Sequence, residues 1–178
     1  HSFPTRRSSD LTSQPGEGSV FRVDLPLAPT TAEAQGAAAN EDNHADVSSM
    51  RVLVAEDHPT NRTVISLILE PFGVDLTLVE DGRKAVEAAE CGDYDLILMD
   101  LQMPVLDGLS AAREIRALEA VRGRRHTPIV ALSANALPEH IADARAAGMD
   151  GHLAKPLRPD DLIALLARTV EARADKAA

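Results

Sequence analysis

Aromatic residues are scarce in this chain, and cysteine is almost absent. Phe, Trp and Tyr together make up 2% of its 178 residues, so a core must be built from the aliphatic side chains within the 44% hydrophobic content. The lone Cys91 excludes an internal disulfide and is typical of a reducing cytosol. No apolar run approaches the roughly 18 residues of a membrane span, and the first residues lack the apolar stretch of a signal peptide. We therefore expect a cytoplasmic chain without membrane contact.

Positive charge is also in short supply. The sequence has 18 Lys and Arg against 28 Asp and Glu, which gives a formal net charge of −10. Proteins that bind nucleic acid directly need basic patches to neutralise phosphates. We therefore expect no nucleic-acid partner.

The N-terminal residues carry little sign of a folded domain. Residues 1–11, HSFPTRRSSDL, resemble the conceptual translation of a common sequencing adapter, and we interpret them as an assembly artefact; the alternative is a natural leader. Residues 12–27 include GEGSVFRVDLPL, whose alternation predicts a short strand that ends at Pro26. Residues 28–49 have no apolar periodicity and read as a flexible linker. Together they predict a mostly disordered extension.

From Met50 onward, short apolar runs alternate five times with amphipathic stretches. Continuous apolar runs such as Leu96–Met99 are typical of strands that are buried on both faces. Five strand and helix repeats predict an α/β domain with a doubly wound parallel sheet over residues 50–171, followed by a tail at 172–178. The predicted strands are residues 52–55, 76–79, 96–99, 129–132 and 152–154.

The notable polar residues follow the predicted strands directly. Glu56 and Asp57 follow the first strand, Asp100 the third, Ser133 the fourth and Lys155 the fifth. Ligands bind at the carboxyl ends of parallel strands, and a strand order of 2-1-3-4-5 makes the first and third strands neighbours there. The three acids would then converge. A surface acidic cluster is the alternative explanation for Glu56 and Asp57 taken alone.

Three converging carboxylates need a cation, and oxygen ligands with an open face favour Mg²⁺. We expect Asp57 and Asp100 to bind it directly, the Gln102 backbone carbonyl to be a third ligand, and Glu56 to act through water. A carboxylate can attack phosphorus, and phosphoryl transfer then needs its charge neutralised. Asp100 is therefore the predicted phosphoryl acceptor, with Lys155 and Ser133 contacting the phosphoryl oxygens.

Four segments, VLVAEDHPTNR, LILMDLQMPVLDG, ALSANAL and GHLAKPL, resemble the receiver domains of response regulators, in the variety attached to hybrid histidine kinases. The resemblance implies a flavodoxin-like fold and supports the roles given to Glu56, Asp57, Asp100, Ser133 and Lys155. It further implies a cis bond before Pro156 and a turn after the acceptor strand; the turn residues are Met103, Pro104 and Gly108.

Two residues depart from the pattern of this family. His58 stands where hybrid-type receivers often have Asn, at a loop position that should tolerate it. His152 stands where many receivers carry the Tyr or Phe that moves inward with the switch hydroxyl, here Ser133. His152 is thus a candidate switch residue, and a half-exposed strand residue without a role is the alternative.

The segment GEGSVFRVDLPL resembles the closing strand of a histidine-kinase ATP-binding domain. This implies that the chain is the C-terminal part of a hybrid kinase, whose missing N-terminal region could anchor it in a membrane. The fragment itself would catalyse its own aspartyl phosphorylation without being a kinase. Its partner would be a histidine phosphotransfer domain or a kinase dimerisation domain, docked on the first helix near Val64 and Ile65; the alternative is that both residues belong to the core.

Three other functions remain open from the sequence. A haloacid-dehalogenase-like phosphohydrolase would also use a strand-end Asp, but it wants a second Asp where this chain has Gln102, which cannot transfer protons. A pseudo-receiver would lack Asp100 or Lys155, and both are present. A stand-alone single-domain response regulator would not carry a kinase-like N-terminal segment.

Overall fold

The computed structural model describes residues 8–14, 18–24, 47–134 and 137–177, in a chain that divides into one unit up to Glu41 and a second from Asp42 onward. In the first unit, β1 (Ser8–Gln14) pairs antiparallel with β2 (Gly18–Asp24). β2 lies within the strand predicted in residues 16–27, whereas its pairing with β1 was not predicted. Most of the predicted linker, residues 28–46, lies outside the described residues. The artefact and linker interpretations stay predictions.

The second unit is a five-stranded parallel sheet in the order β4-β3-β5-β6-β7. Numbered within this unit, the order is the predicted 2-1-3-4-5, so the doubly wound flavodoxin-like fold is confirmed. The strands are β3 (Arg51–Ala55), β4 (Asp75–Val79), β5 (Leu96–Asp100), β6 (Ile129–Ser133) and β7 (Gly151–Ala154). The helices are α1 (Pro59–Leu69), α2 (Gly82–Cys91), α3 (Gly108–Arg122), α4 (Pro138–Ala146) and α5 (Pro159–Ala177), with a 3-10 turn at Glu70–Phe72.

Residues 172–177 are helical, because α5 runs to Ala177. We expected a separate tail from residue 172, and the structure corrects this boundary. The face of α5 that packs toward the sheet is buried; it consists of Leu162, Leu165, Leu166 and Thr169. None of the helices in the described part of the chain is both long and apolar enough to cross a membrane.

Helices cover the sheet on both sides. α2, α3 and α4 pack on one face, and α1 and α5 pack on the other. β5 and β6 are buried along their whole length because both of their faces contact helices. This explains why their sequences are continuous apolar runs rather than alternating ones. The carboxyl ends of the central strands are therefore held in a sheet that is packed between two layers of helices.

The structure separates the two residues that we predicted as a docking pair on α1. Ile65 is fully buried against the sheet, whereas the side chain of Val64 is 40% exposed and that of Leu67 is 63% exposed. The prediction that Ile65 contributes to a docking surface is therefore wrong: Ile65 belongs to the core. Val64 remains available to a partner, and Leu67 lies one turn further along the same exposed side.

At the opposite, amino-terminal end of β5, the nearly buried Asp95 links three parts of the chain. Its carboxylate accepts a hydrogen bond from the Arg51 backbone N–H at 2.9 Å, pairs with Arg173 at 3.0 Å and contacts Arg125. Burial raises the pKa of Asp95, but these contacts outweigh burial and the pKa is lowered overall. Asp95 therefore stays ionised and ties α5 to the bottom of the sheet.

Candidate functional site

Three acids meet where β3 and β5 end. The loop between β3 and α1 has only three residues, and it carries Glu56 and Asp57; Asp100 is the last residue of the neighbouring β5. One carboxylate oxygen from each acid lies within 4.8 Å of the others. Glu56 is fully buried, Asp100 is buried and Asp57 is exposed. The predicted convergence is thus present, with one acid open to solvent.

Lys155, which directly follows β7, reaches into this acidic group. Its Nζ donates to Asp100 Oδ2 at 2.5 Å and lies 2.6 Å from Glu56 Oε2. The second contact is an ion pair outside hydrogen-bonding geometry, so Glu56 Oε2 is buried without a hydrogen-bond partner in the described structure. Burial lowers the pKa of the Lys155 ammonium, but its contacts with Asp100 and Glu56 outweigh burial and raise the pKa overall. Lys155 is therefore a fixed positive charge.

Asp100 has two different oxygens. Oδ2 accepts from Lys155, and Oδ1 accepts from the Gln102 backbone N–H at 3.1 Å. Burial raises the pKa of Asp100 above its usual range; the two hydrogen bonds lower it, and the nearby Glu56 charge raises it further. Any cation that binds in the site would therefore stabilise the ionised form of Asp100. Gln102 thus contacts Asp100 through its N–H, and a role for its carbonyl as a metal ligand stays a prediction.

Two residues that the sequence analysis did not assign hold the β3–α1 loop. Asn61 Nδ2 donates to Glu56 Oε1 at 2.8 Å, and Arg62 Nη1 donates to the carbonyl oxygens of Glu56 and Asp57 at 2.6 Å and 2.8 Å. These contacts join residues five or six positions apart and leave no periodic signal. The only hint was that both residues fall within the segment VLVAEDHPTNR.

Ser133 is the last residue of β6 and is buried. Its carbonyl oxygen accepts a hydrogen bond from the Lys155 backbone N–H at 2.7 Å, which sets the lysine next to β6. The Lys155–Pro156 peptide bond is cis, as the resemblance implied. Residues 135 and 136, which follow Ser133, lie outside the described residues. The switch role of the Ser133 hydroxyl stays a prediction.

His152 lies in β7, half-buried, and shares a small pocket against α4 with Ser133 and His140. Its Nε2 atom is buried, and the described structure gives it no hydrogen-bond partner. The side chain is therefore placed between the strand end and α4, as a switch residue would be. Its role stays a prediction.

The turn after β5 requires glycine at position 108. A Cβ atom there would lie 2.1 Å from the Asp100 carbonyl oxygen, a distance that no side chain allows. The Gly108 N–H donates to the Leu101 carbonyl at 3.1 Å, and the Leu106 N–H donates to the Pro104 carbonyl at 2.7 Å. The chain thus folds back directly over the acceptor strand, and Pro104 and Gly108 occupy the predicted turn.

The residues of this site fit a divalent cation. Three carboxylates and one ammonium leave two formal negative charges, and one buried carboxylate oxygen of Glu56 lacks a hydrogen bond. All three acids offer oxygen, the ligand type that Mg²⁺ prefers, and the exposed Asp57 leaves a side open for water or a phosphate. The donor set therefore suits Mg²⁺ better than a softer metal.

Comparison with known families gives the same assignment. The family model for the response regulator receiver domain matches residues 52–167. This chain belongs to the response regulator receiver family. The match covers the parallel sheet and all of the residues that form the site. The receiver domain is a module of two-component phosphorelays, so the α/β unit of this chain is such a module.

Relatives of this receiver domain are parts of large kinases. The chain is 39% identical over 125 residues to the sensory/regulatory protein RpfC of Xanthomonas campestris. The aligned residues make up 70% of this chain and 17% of RpfC. It is 47% identical over 113 residues to the peroxide stress-activated histidine kinase mak1 of Schizosaccharomyces pombe, covering 62% of this chain and 7% of that protein. The chain thus spans less than a fifth of the length of either relative.

Solved receiver domains show the same fold. The receiver domain of the sensor histidine kinase PA1611 from Pseudomonas aeruginosa, with a magnesium ion in its active-site cleft, is 46% identical, with a TM-score of 0.63 over 69% of this chain and 98% of that chain. The receiver domain of Ssk1 from Saccharomyces cerevisiae, in complex with the histidine phosphotransfer protein Ypd1, is 29% identical, with a TM-score of 0.68 over 70% of this chain and 91% of that chain. The magnesium ion in the PA1611 domain is the kind of cation that the oxygen ligands of the present site would favour.

Proposed function

We propose that Asp100 of this receiver domain accepts a phosphoryl group from a phosphohistidine, with Mg²⁺ held by Asp57, Asp100, the Gln102 carbonyl and, through water, Glu56. The observation that carries the proposal is the position of Lys155. Its ammonium contacts both Asp100 and Glu56, and a carboxylate oxygen of each of these acids lies within 4.8 Å of a carboxylate oxygen of the exposed Asp57. A nucleophile, a fixed positive charge and a set of cation ligands therefore share one small site.

Phosphoryl transfer to Asp100 forms one bond to phosphorus and breaks another. A carboxylate oxygen of Asp100 forms a bond to phosphorus while the bond between phosphorus and the imidazole nitrogen breaks, and that nitrogen keeps the electron pair. Lys155 neutralises charge on the phosphoryl oxygens, and the Ser133 hydroxyl donates to another of them. When bound, Mg²⁺ supplies further neutralisation of the same oxygens. Phosphorylation then adds about −1.5 to −2 charges to the site.

The added charge also gives a route for a switch. Ser133 ends β6, and His152 shares a pocket with it against α4. If Ser133 is drawn toward the new phosphoryl oxygens, the start of α4 and the His152 side chain must adjust with it. Amide chemical shifts of residues 133–153 should change on phosphorylation, and unchanged shifts would contradict the switch.

A small phosphodonor tests the acceptor directly. We expect incubation with acetyl phosphate and Mg²⁺ to add one phosphoryl group to the intact mass of the wild-type chain. Asp100→Asn should add none, whereas the exposed Asp93→Asn, a matched control outside the site, should label like wild type. Labelling of Asp100→Asn would contradict the proposal. Continuous release of phosphate from an ester substrate would instead favour the haloacid-dehalogenase-like alternative.

We also propose that the chain is a piece of a hybrid histidine kinase and works in the cytoplasm, with a histidine phosphotransfer domain or a kinase dimerisation domain as its partner. The kinase relatives and the complex of Ssk1 with Ypd1 support this setting. A groove of about 380 Å³, lined by Val64, Asn61, Lys155, Pro156 and Leu157, opens beside the active lysine. An apolar side chain of a helix that carries phosphohistidine fits there.

The docking part of this proposal has its own test. We expect Val64→Arg to slow labelling by a phosphorylated histidine phosphotransfer domain more than it slows labelling by acetyl phosphate. Val121 on α3 is 85% exposed, so Val121→Arg is a matched control for the added charge. Equal ratios of the two rates in wild type, Val64→Arg and Val121→Arg would rule out docking at α1.

A further inference from the structure

Two side chains of α1 donate hydrogen bonds to the loop that carries Glu56 and Asp57. Asn61 contacts the carboxylate of Glu56, and Arg62 contacts the carbonyl oxygens of both Glu56 and Asp57. We propose that Asn61 and Arg62 are positioning residues, which hold the acidic pair in the arrangement that receives Mg²⁺. This inference rests on the proposed function, and its test separates the two.

Arg62 acts on the main chain. A single guanidinium nitrogen, Nη1, lies 2.6 Å from the Glu56 oxygen and 2.8 Å from the Asp57 oxygen, so it fixes two consecutive peptide planes. These two planes flank Asp57, so they restrict its backbone torsion angles and thereby the direction in which its side chain leaves the main chain. Lysine would keep the charge but not the planar, rigid donor geometry of arginine.

Asn61 acts on a side chain. Glu56 places Oε2 beside Lys155, and Oε1 accepts from Asn61 Nδ2 at 2.8 Å and from the His58 N–H at 3.3 Å. Without Asn61, Oε1 would keep only the longer contact. His58 is the N-cap residue of α1, and its own N–H donates to the carboxylate of Glu56. The start of α1 and the acidic site are therefore one hydrogen-bonded unit.

Partners that orient metal ligands typically change metal affinity by about 10-fold to 100-fold when they are removed. We therefore expect Arg62→Gln and Asn61→Ala to weaken Mg²⁺ binding to the unphosphorylated chain by about 10-fold, and Arg62→Lys by less. The measurement is isothermal titration of MgCl₂ into the full chain, with melting followed by circular dichroism in EDTA. Arg168→Gln is the matched control: Arg168 is exposed, and its Nε donates to the Ala164 carbonyl of its own helix at 3.3 Å.

A double-variant cycle separates positioning from general stability. If Asn61 acts through Glu56, then Asn61→Ala should weaken Mg²⁺ binding in the wild-type background but not in the Glu56→Ala background. A residue that only stabilises the fold would lower the melting temperature and leave the Mg²⁺ dissociation constant of the folded protein unchanged.

The outcomes are distinct. Equal Mg²⁺ affinity in wild type, Arg62→Gln and Asn61→Ala would overturn the positioning proposal and leave the proposed function standing. A wild-type chain that binds no Mg²⁺ would overturn both. If Arg62→Gln does not fold, Arg62→Lys and Asn61→Ala decide the question by the same titration.

Discussion

Lys155 holds together carboxylates that would otherwise repel, so its removal should destabilise the whole domain. We consider Lys155→Met in the absence of Mg²⁺, because methionine keeps the apolar length of the side chain without its charge. The ammonium lies 2.5 Å from Asp100 Oδ2 and 2.6 Å from Glu56 Oε2, and the lysine side chain is only 19% exposed. Its loss leaves two buried acids with no compensating cation.

The magnitude follows from the geometry. Two unit charges 2.5 Å apart attract by about 6.6 kcal/mol at an effective dielectric constant of 20, before the cost of desolvating them. Breaking one side of a buried ion pair costs roughly 3 to 5 kcal/mol in practice. Because Lys155 keeps some contact with water, we expect a loss near the lower end, about 3 kcal/mol of unfolding free energy at pH 7.

The same loss should depend on pH. Without Lys155, the pKa of Asp100 rises further above its usual range, because burial and the Glu56 charge remain. A carboxyl whose folded pKa is raised contributes stability below its unfolded pKa, about 3.9, and loses it as the pH rises through the folded pKa. The difference between wild type and Lys155→Met should therefore be largest at neutral pH and should shrink toward pH 4.

Urea unfolding followed by circular dichroism, from pH 4 to pH 8 in EDTA, measures this difference. Lys84→Met is the matched control, because Lys84 in α2 forms an exposed ion pair with Glu80, which precedes that helix. We expect little change from the control. A loss in Lys155→Met no greater than in Lys84→Met, or a loss that does not vary with pH, would refute the electrostatic account of the site.

Two further predictions concern the frame around the site. Gly108→Ala should destabilise the domain by about 1 to 3 kcal/mol, because its Cβ would lie 2.1 Å from the Asp100 carbonyl oxygen. Gly123→Ala is the comparison, because a Cβ there has open space and only the positive φ opposes it. An equal loss of unfolding free energy in both variants, measured by urea unfolding, would contradict the close approach at Gly108. Asp95→Asn should cost about 1 to 3 kcal/mol at pH 7. Because the folded pKa of Asp95 is lowered, its contribution is present above the unfolded pKa and is lost as the pH falls through the folded one. The melting temperatures of wild type and Asp95→Asn should therefore approach each other as the pH falls below the unfolded pKa of Asp95, and a gap that does not narrow with falling pH would exclude this cause.

Hydrophobic patterning was sufficient to predict the sheet. β5 and β6 are buried on both faces, so their sequences are unbroken apolar runs. The predicted ends of the strands lie within one or two residues of Asp100, Ser133 and Lys155, as they do in the structure. The meeting of the acids followed from strand order alone, because β3 and β5 are neighbours. The rules of parallel sheets are therefore enough to predict that these acids and Lys155 lie together at one edge of the sheet.

Other features could not be predicted, because they depend on contacts between side chains. In α1, apolar residues are adjacent in the sequence Val64-Ile65-Ser66-Leu67, so the helical spacing of apolar residues does not indicate which of them faces the core. The packing of the helix shows that Ile65 is buried and Val64 is exposed. The contacts of Arg62 with two backbone carbonyls follow no sequence pattern. The pairing of β1 with β2 has no counterpart in the prediction, because most of β1 lies within residues 1–11, which we interpret as an artefact.

The central claim is that phosphoryl transfer ends on the carboxylate of Asp100, and the position of the acyl phosphate can be read directly. After labelling with acetyl phosphate and Mg²⁺, borohydride reduction converts an aspartyl phosphate to homoserine, which mass spectrometry locates in a digest. We predict homoserine at position 100 in the wild-type chain and at no other aspartate. Homoserine at Asp57 or elsewhere, with position 100 unmodified, would contradict the account.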